Sequence, residues 1–250
     1  MTDAAQRLAV VTGGIGGLGT EICRYLVGSG RRVIAADLAT NPDRVAAFRA
    51  AVEDLGERVV FEPLNVADFD LCAEFASRVR ANHGEVDILV NAAGITRDTT
   101  LRKMDARQWS DVIRVNLDGV FNLTRQFVDS MCDRQFGRII NISSVNGQTG
   151  QFGQTNYSAA KAGMHGFTMA LAREVARKGV TVNSVSPGYC RTQLVLQMGE
   201  KIREEIVSKI PVGRLGEPFE IARVVDFLSA DDAGFITGAN VPVNGGYFMD

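Results

Sequence analysis

Apolar residues fall along this chain in two alternating rhythms. Short runs rich in Val and Ile recur at "RLAVV", "RRVIAA", "RVVFEPL", "EVDILVN", "GRIINIS", "GVTVNSVS" and "ANVPVN". Several are apolar at nearly every position, as strands buried on both faces are, and such strands belong to parallel sheets. Between them lie longer segments with helical spacing. "LGTEICRYLVGSG" sets Leu18, Ile22, Leu26 and Val27 along one face and ends in Gly-Ser-Gly. "DRVAAFRAAVEDLG" and "DFDLCAEFASRVRANHG" read the same way, each stopping at a glycine, the common C-terminal cap. Residues 106–134 form one long amphipathic stretch. Strand alternating with helix predicts an α/β fold: a doubly wound, Rossmann-type parallel sheet of about seven strands with helices on both faces. No linker, repeat or low-complexity run interrupts the pattern, so residues 1–250 are expected to form a single dinucleotide-binding domain.

Composition narrows the function classes. The chain is 46% hydrophobic and 22% charged, with a formal net charge of −2, an ordinary globular balance. Near-neutral charge gives no field for nucleic acid, and the adjacent Arg102 and Lys103 read first as a solvated loop. No apolar run approaches the roughly 20 residues of a membrane helix, and the N-terminus carries no separate leader-type segment. A cytoplasmic location, with no membrane and no nucleic-acid partner, is the expectation. Cys23, Cys72, Cys132 and Cys190 are widely spaced and His83 and His165 are the two histidines, so no metal spacing exists and four reduced thiols are expected. Neither H-E-x-x-H nor G-x-S-x-G occurs, which leaves zinc and hydrolase chemistry without a basis.

The loop after the first strand is informative. In "VVTGGIGGLGTEI" the glycines fit G-x-G-x-x-G (Gly14, Gly16, Gly19) and also G-x-x-x-G-x-G (Gly13, Gly17, Gly19). Either spacing lets backbone approach a pyrophosphate at a helix N-terminus. Asp37 ends the second strand, where an acid typically holds the ribose 2′-hydroxyl of NAD. A second pair of interest is Tyr157 and Lys161 in "QTNYSAAKAG", four apart and hence neighbours on a helix.

With the glycine loop, "NAAG" (Asn91 to Gly94), "NISS" and "YSAAK" in this order, the chain resembles the short-chain dehydrogenases/reductases over essentially its whole length. That resemblance implies a catalytic set of Asn116, Ser144, Tyr157 and Lys161. Ser144 is preferred to Ser143 because it lies thirteen residues before Tyr157. Tyr157 would give a proton to the alkoxide left by hydride transfer, and Lys161 would lower the phenol's pKa and hold the nicotinamide ribose. Ser144 would hydrogen-bond the substrate carbonyl, and Asn116 would support a water chain. Ser158 is read as a surface or packing hydroxyl. For the dinucleotide the expected contacts are Gly13, Ile15, Gly16, Gly17, Leu18 and Gly19 of the loop, and Asp37 and Leu38 at the end of the second strand. Asn65 and Val66 would flank the adenine, followed by Asn91, Ala92, Ala93 and Gly94. Pro187, Gly188 and Thr192, in "SPGYCRT", would border the nicotinamide.

Within the family two groups are similar: 3-oxoacyl-ACP reductases and the acetoacetyl-CoA reductases of polyhydroxybutyrate synthesis. "GQFGQTNYS", "HGFTMALA" and the tyrosine of "SPGY" favour the second. The resemblance implies an acyl pocket shaped by Gln151, Phe152, Gln154 and Tyr189, with Asp98 and Lys103 at its mouth, a 3-oxoacyl thioester as substrate, and a homotetramer. A dinucleotide-binding regulator without turnover is a third reading, against which the complete catalytic set argues. The similar acetoacetyl-CoA reductases use NADPH and lack an acid after the second strand. Asp37, with Gly16 where an arginine often stands, predicts NADH instead. Arg44, Arg31 and Arg32 leave room for partial use of NADPH.

Overall fold

The computed structural model describes residues 6–249; the N-terminal residues 1–5, on which the expectation about a leader bears, lie outside the described residues. Seven strands form one sheet: β1 (Leu8–Thr12), β2 (Arg32–Asp37), β3 (Val59–Pro63), β4 (Ile88–Asn91), β5 (Gly137–Ile142), β6 (Val180–Pro187) and β7 (Asn240–Val243). Their order is β3-β2-β1-β4-β5-β6-β7, and each pairing is parallel. Each run singled out by its apolar pattern is one of these strands. The two-residue period of a strand divides its side chains between the two faces. Ala9, Val11, Val33, Ala35, Ile88 and Val90 enter one buried cluster, and Leu8, Val10, Ile34, Ala36 and Leu89 the other.

Helices cover both faces. α1 (Gly17–Gly28), α2 (Pro42–Ala51), α3 (Phe69–His83), α4 (Ala106–Ile113) and α5 (Gly119–Asp133) are followed by α6 (Asn146–Thr149), α7 (Thr155–Val175), α8 (Gln193–Leu196), α9 (Glu200–Ser208) and α10 (Pro218–Leu228). Ile22 and Leu26 of α1 meet Ile221 and Val225 of α10 on the first face. Phe75, Phe127 and Met131 of α3 and α5 fill the second. Each such fully buried side chain contributes about 1.5–3 kcal/mol.

Two boundaries differ from the sequence pattern. α2 does not run to Gly56: it ends at Ala51, where Val52 leaves the helical region (φ −120°), and a 3₁₀ turn follows in which Gly56 takes φ +59°. Val52 turns into the core, so tertiary burial ends the helix before the glycine. The stretch 106–134 is helical but not uniform: Arg114–Asp118 forms a π-type turn between α4 and α5. The chain reverses its direction of winding between β1 and β4, and ligands of open α/β sheets bind beyond the strand ends at such a point. Asp37 is the last residue of β2, and the glycine loop, Asn65, Gly94, Ser144 and Gly188 follow the C-terminal ends of the other strands from β1 to β6.

Candidate active site

The glycine loop is held by close contacts that a side chain would destroy. A Cβ on Gly19 would sit 2.1 Å from the Gly13 carbonyl oxygen, and one on Gly14 2.8 Å from Ala35 of β2. Gly13 itself has φ +64°, favourable only for glycine. Gly17 is different: the nearest atom to its Cβ position is Thr192 Cβ, 4.0 Å away, so the segment after β6 stands across from the loop. α1 begins here with Gly16 as N-cap and no side-chain cap, leaving N–H groups and the positive end of the helix dipole for an anion. The Thr12 hydroxyl accepts from the N–H groups of Ala92 and Ala93, both at 3.0 Å, which ties the two loops of the crevice together. Ile15 and Leu18 pack onto the core below. Asp37 takes the Leu38 N–H at 2.7 Å, and Arg44 Nη2 stands 3.6 Å from its other oxygen. Burial raises the Asp37 pKa, while the Leu38 N–H and Arg44 oppose that rise. Asn65 Oδ1 caps its own turn by accepting from Ala67 N at 3.2 Å, Val66 is buried, and a groove of about 230 Å³ lies beside Leu38 and Asn65. Gly188 N donates to Val243 O at 2.9 Å and Pro187 O accepts from Val145 N at 2.9 Å, which fixes the far wall.

Further along the crevice the four expected catalytic side chains come together. Tyr157 and Lys161 lie on α7, and the Tyr157 and Ser144 hydroxyls share a hydrogen bond. Ser143 points the other way and donates to Lys161 O at 3.0 Å. Lys161, 3% exposed, donates to Ile142 O at 2.7 Å and lies 5.6 Å from the centre of the Tyr157 ring. The expected lowering of the phenol's pKa by this cation is not what the arrangement gives. Burial dominates and pushes the Tyr157 pKa up; the Ser144 bond opposes it and Asp98 adds to it. Burial likewise pushes Lys161 down to about 7. Both groups are driven toward their neutral forms, because a low-dielectric site disfavours the charged one. A neutral phenol is the form that can give a proton to an alkoxide. Asn116 sits in the π-type turn, fully buried, and its Nδ2 donates to Ile95 O and Val112 O at 2.9 Å each. Its Oδ1 is buried with no partner. That oxygen faces Gly94: a Cβ there would lie 2.7 Å from Asn116 Oδ1 and 3.7 Å from Lys161 Nζ. Gly94 therefore keeps open a space bordered by an acceptor and an amine, of the kind a bridging water fills.

The expected substrate residues lie at the mouth, with uneven roles. Gln154 Nε2 donates to Asp98 Oδ2 at 2.8 Å, and Thr99 N donates to Gly153 O at 2.8 Å, so the segments around Asp98 and Gln154 form one rim. Gln151 and Lys103 are exposed. Tyr189 packs edge-on against Tyr247 with ring centres 5.6 Å apart, over a small cluster of Val195, Ile210 and Leu215. Phe152 is 88% exposed. It is neither core nor, within this chain, a wall that closes an acyl pocket, because Gly150 and Gly153 on either side turn its loop outward with φ of +71° and +79°. Arg31 and Arg32 do not serve Asp37: Arg31 pairs with Asp226 and Arg32 bonds His83 O, at the opposite end of β2. The hydroxyl oxygen of the half-buried Ser158 is enclosed without a partner, a packing hydroxyl.

The family model described as short chain dehydrogenase matches residues 7–203. The chain belongs to the short chain dehydrogenase family. An acetoacetyl-CoA reductase of Allochromatium vinosum is 53% identical over 97% of this chain and 99% of its own length. One of Cupriavidus necator is 52% identical over 98% and 99%. A 3-oxoacyl-(acyl-carrier-protein) reductase of Haemophilus influenzae is 43% identical over 97% and 98%.

A dehydrogenase of this family works with a nicotinamide cofactor, and the crevice fits one. It has an uncapped helix start behind compact glycines, an acid at the end of β2, and an orphaned acceptor beside a buried amine. Some residues support the site through bonds that the family motifs do not spell out. Asn91 turns its side chain inward, donating to Thr124 Oγ1 at 3.2 Å and Asn141 Oδ1 at 2.8 Å. Asn141 Nδ2 donates in turn to Thr168 Oγ1 at 2.9 Å. The side chain of Asn91 thus braces β4, β5, α5 and α7, and only its backbone is left for a cofactor. Asn146 is a second such residue: buried, and bonded to both Ser144 and Gln154. Polar residues inside otherwise apolar strands are the signal that marks Asn91 and Asn141.

Proposed function

We propose that this protein reduces acetoacetyl-CoA to (R)-3-hydroxybutyryl-CoA with NADH, the reaction that feeds polyhydroxybutyrate synthesis. What carries the reading is one conjunction. A chain alike over its full length to two acetoacetyl-CoA reductases brings Asn116, Ser144, Tyr157 and Lys161 to a single crevice. The nicotinamide supplies the hydride when bound. Ser144 holds the substrate carbonyl oxygen, and Tyr157, kept protonated by burial, gives its proton to that oxygen. Lys161 anchors the ribose and, through the space beside Gly94 and Asn116, resupplies the proton. Asp98, Lys103, Gln151, Phe152, Gln154 and Tyr189 border the thioester.

The preference for NADH rests on Asp37. A 2′-phosphate there would meet a carboxylate, and like charges about 4 Å apart repel by roughly 4 kcal/mol at an effective dielectric of about 20. Arg44, 3.6 Å from the carboxylate, offsets part of that cost and supports limited use of NADPH. The assembly proposed is a homotetramer in the cytoplasm. It is supported by a hollow of about 570 Å³ on the outer helices, lined by Phe69, Leu117, Phe121 and Phe167. Phe69 and Phe121 stack there with ring centres 6.0 Å apart, although both are more than 40% exposed.

The exposed Phe152 favours one alternative, reduction of 3-oxoacyl groups on acyl carrier protein, since an open mouth admits longer chains. Rates of NADH oxidation across 3-oxoacyl-CoA chain lengths, and with the matching acyl-carrier substrates, separate the two. The four-carbon CoA thioester should give the highest kcat/KM. An optimum at longer chains, or a strong preference for the protein carrier, would favour the alternative.

A further inference from the structure

Three segments meet beside Ser144 through side-chain amides. Gln154, the residue preceding α7, donates from Nε2 to Asp98 Oδ2 at 2.8 Å. Its Oε1 accepts from Asn146 Nδ2 at 2.9 Å, and the backbone N–H of Asn146 donates to Ser144 Oγ at 3.1 Å. The polarity of this chain is forced. An ionised carboxylate only accepts, so Gln154 must turn its NH₂ to Asp98. Its oxygen then faces Asn146, which must answer with its own NH₂. Asn146 Oδ1 is left over, and it is buried with no partner, while the residue is 9% exposed. An unpartnered buried acceptor is costly, so the arrangement is held against a local penalty. The chain joins the rim at Asp98, the start of the helix that carries Tyr157, and the turn that carries Ser144.

We propose that Asn146 is a positioning residue for Ser144, and that Asp98 orients it through Gln154. The proposal rests on the reading of Ser144 given above. Asn146 sets the separation of the Ser144 and Tyr157 hydroxyls. It also fills one acceptor site of Ser144 with a backbone N–H, which leaves the serine proton for its other partner.

The test is kcat for Asn146→Asp, Asp98→Asn and the double variant, with cofactor affinity and Tm measured beside it. In Asn146→Asp one amide faces two carboxylates, and kcat should fall at least about tenfold while cofactor affinity changes less than about twofold. In the double variant Gln154 can turn over and close the chain with reversed polarity. Its kcat should return to within about threefold of Asp98→Asn alone, a coupling that independent sites do not show. Asn146→Ala, which adds no charge, should lower kcat with cofactor affinity and Tm retained. Full kcat in Asn146→Ala or Asn146→Asp, or a double variant no better than Asn146→Asp, would overturn the proposal. Ser144→Ala separates the two claims. Full activity there would remove the role of Ser144 and this inference together. Loss there beside full activity in Asn146→Ala would remove this inference alone.

Discussion

At the scale of single residues, burial governs the chemistry. Lys161 is surrounded by protein and its pKa falls from 10.5 to about 7. The sign of the consequence for stability follows. Between about pH 7 and 10.5 the unfolded chain binds a proton that the folded chain does not, so stability rises with pH across that window. Below pH 7 both states are protonated and the full penalty of a buried ammonium is present. Lys161→Met, without cofactor, should therefore be more stable than wild type at pH 7, by an amount on the order of a few kcal/mol, and the gap should close as pH approaches 10. Thermal denaturation at several pH values checks this; an equal gap at pH 7 and 10 would contradict it. The same variant should bind the dinucleotide poorly, a trade of stability for function. At Asp37, replacement by serine should raise kcat/KM with NADPH relative to NADH. Arg44→Ala should lower the relative use of NADPH, because it removes the cation 3.6 Å from the carboxylate. A wild-type preference for NADPH would refute this role of Asp37.

At the scale of elements, the glycines of the first loop have separable duties. Gly19→Ala would place a Cβ 2.1 Å from Gly13 O and should lower Tm as well as dinucleotide affinity. Gly17→Ala meets nothing closer than 4.0 Å in the protein. It should leave Tm within about 1 °C, since changes away from packed features are small, while weakening the dinucleotide wherever the backbone must approach it. Titrations of both variants beside melting curves distinguish the duties. The strands were legible because burial on two faces writes an unbroken apolar run, as in β1 and β4. The end of α2 was not, because Val52 leaves the helix to reach the core and no local residue announces it. The π-type turn at Arg114–Asp118 was hidden for a related reason. One extra residue in a turn hardly disturbs amphipathic spacing, yet it places Asn116 where its amide meets Ile95 O and Val112 O. The bonds from Asn146 to Ser144 and Gln154 were equally out of reach, since they depend on where three separate segments come to rest.

At the scale of the molecule, the glycine loop, Gly94, Ser144 and Gly188 were legible as strand-end residues because they follow β1, β4, β5 and β6 closely in sequence, whereas Asn116, Tyr157 and Lys161 reach the crevice from helical segments. Exposure was less legible. Phe152 reads as a pocket wall yet stands 88% exposed, a difference that only the shape of its loop decides. The Phe69–Phe121 face is the place to test assembly. Phe121→Arg should convert the proposed tetramer to a smaller species in analytical ultracentrifugation, since burying an unpaired charge costs far more than an apolar contact yields; an unchanged mass would exclude this face as an interface. The most direct measurement is turnover of acetoacetyl-CoA with NADH by wild type and by Tyr157→Phe, with dinucleotide affinity measured on both. Wild type should turn over. The variant, lacking only the phenolic proton, should lose about 10²–10⁴-fold in kcat and bind the dinucleotide nearly as before. Substantial turnover by Tyr157→Phe, or none by wild type, would contradict the assignment.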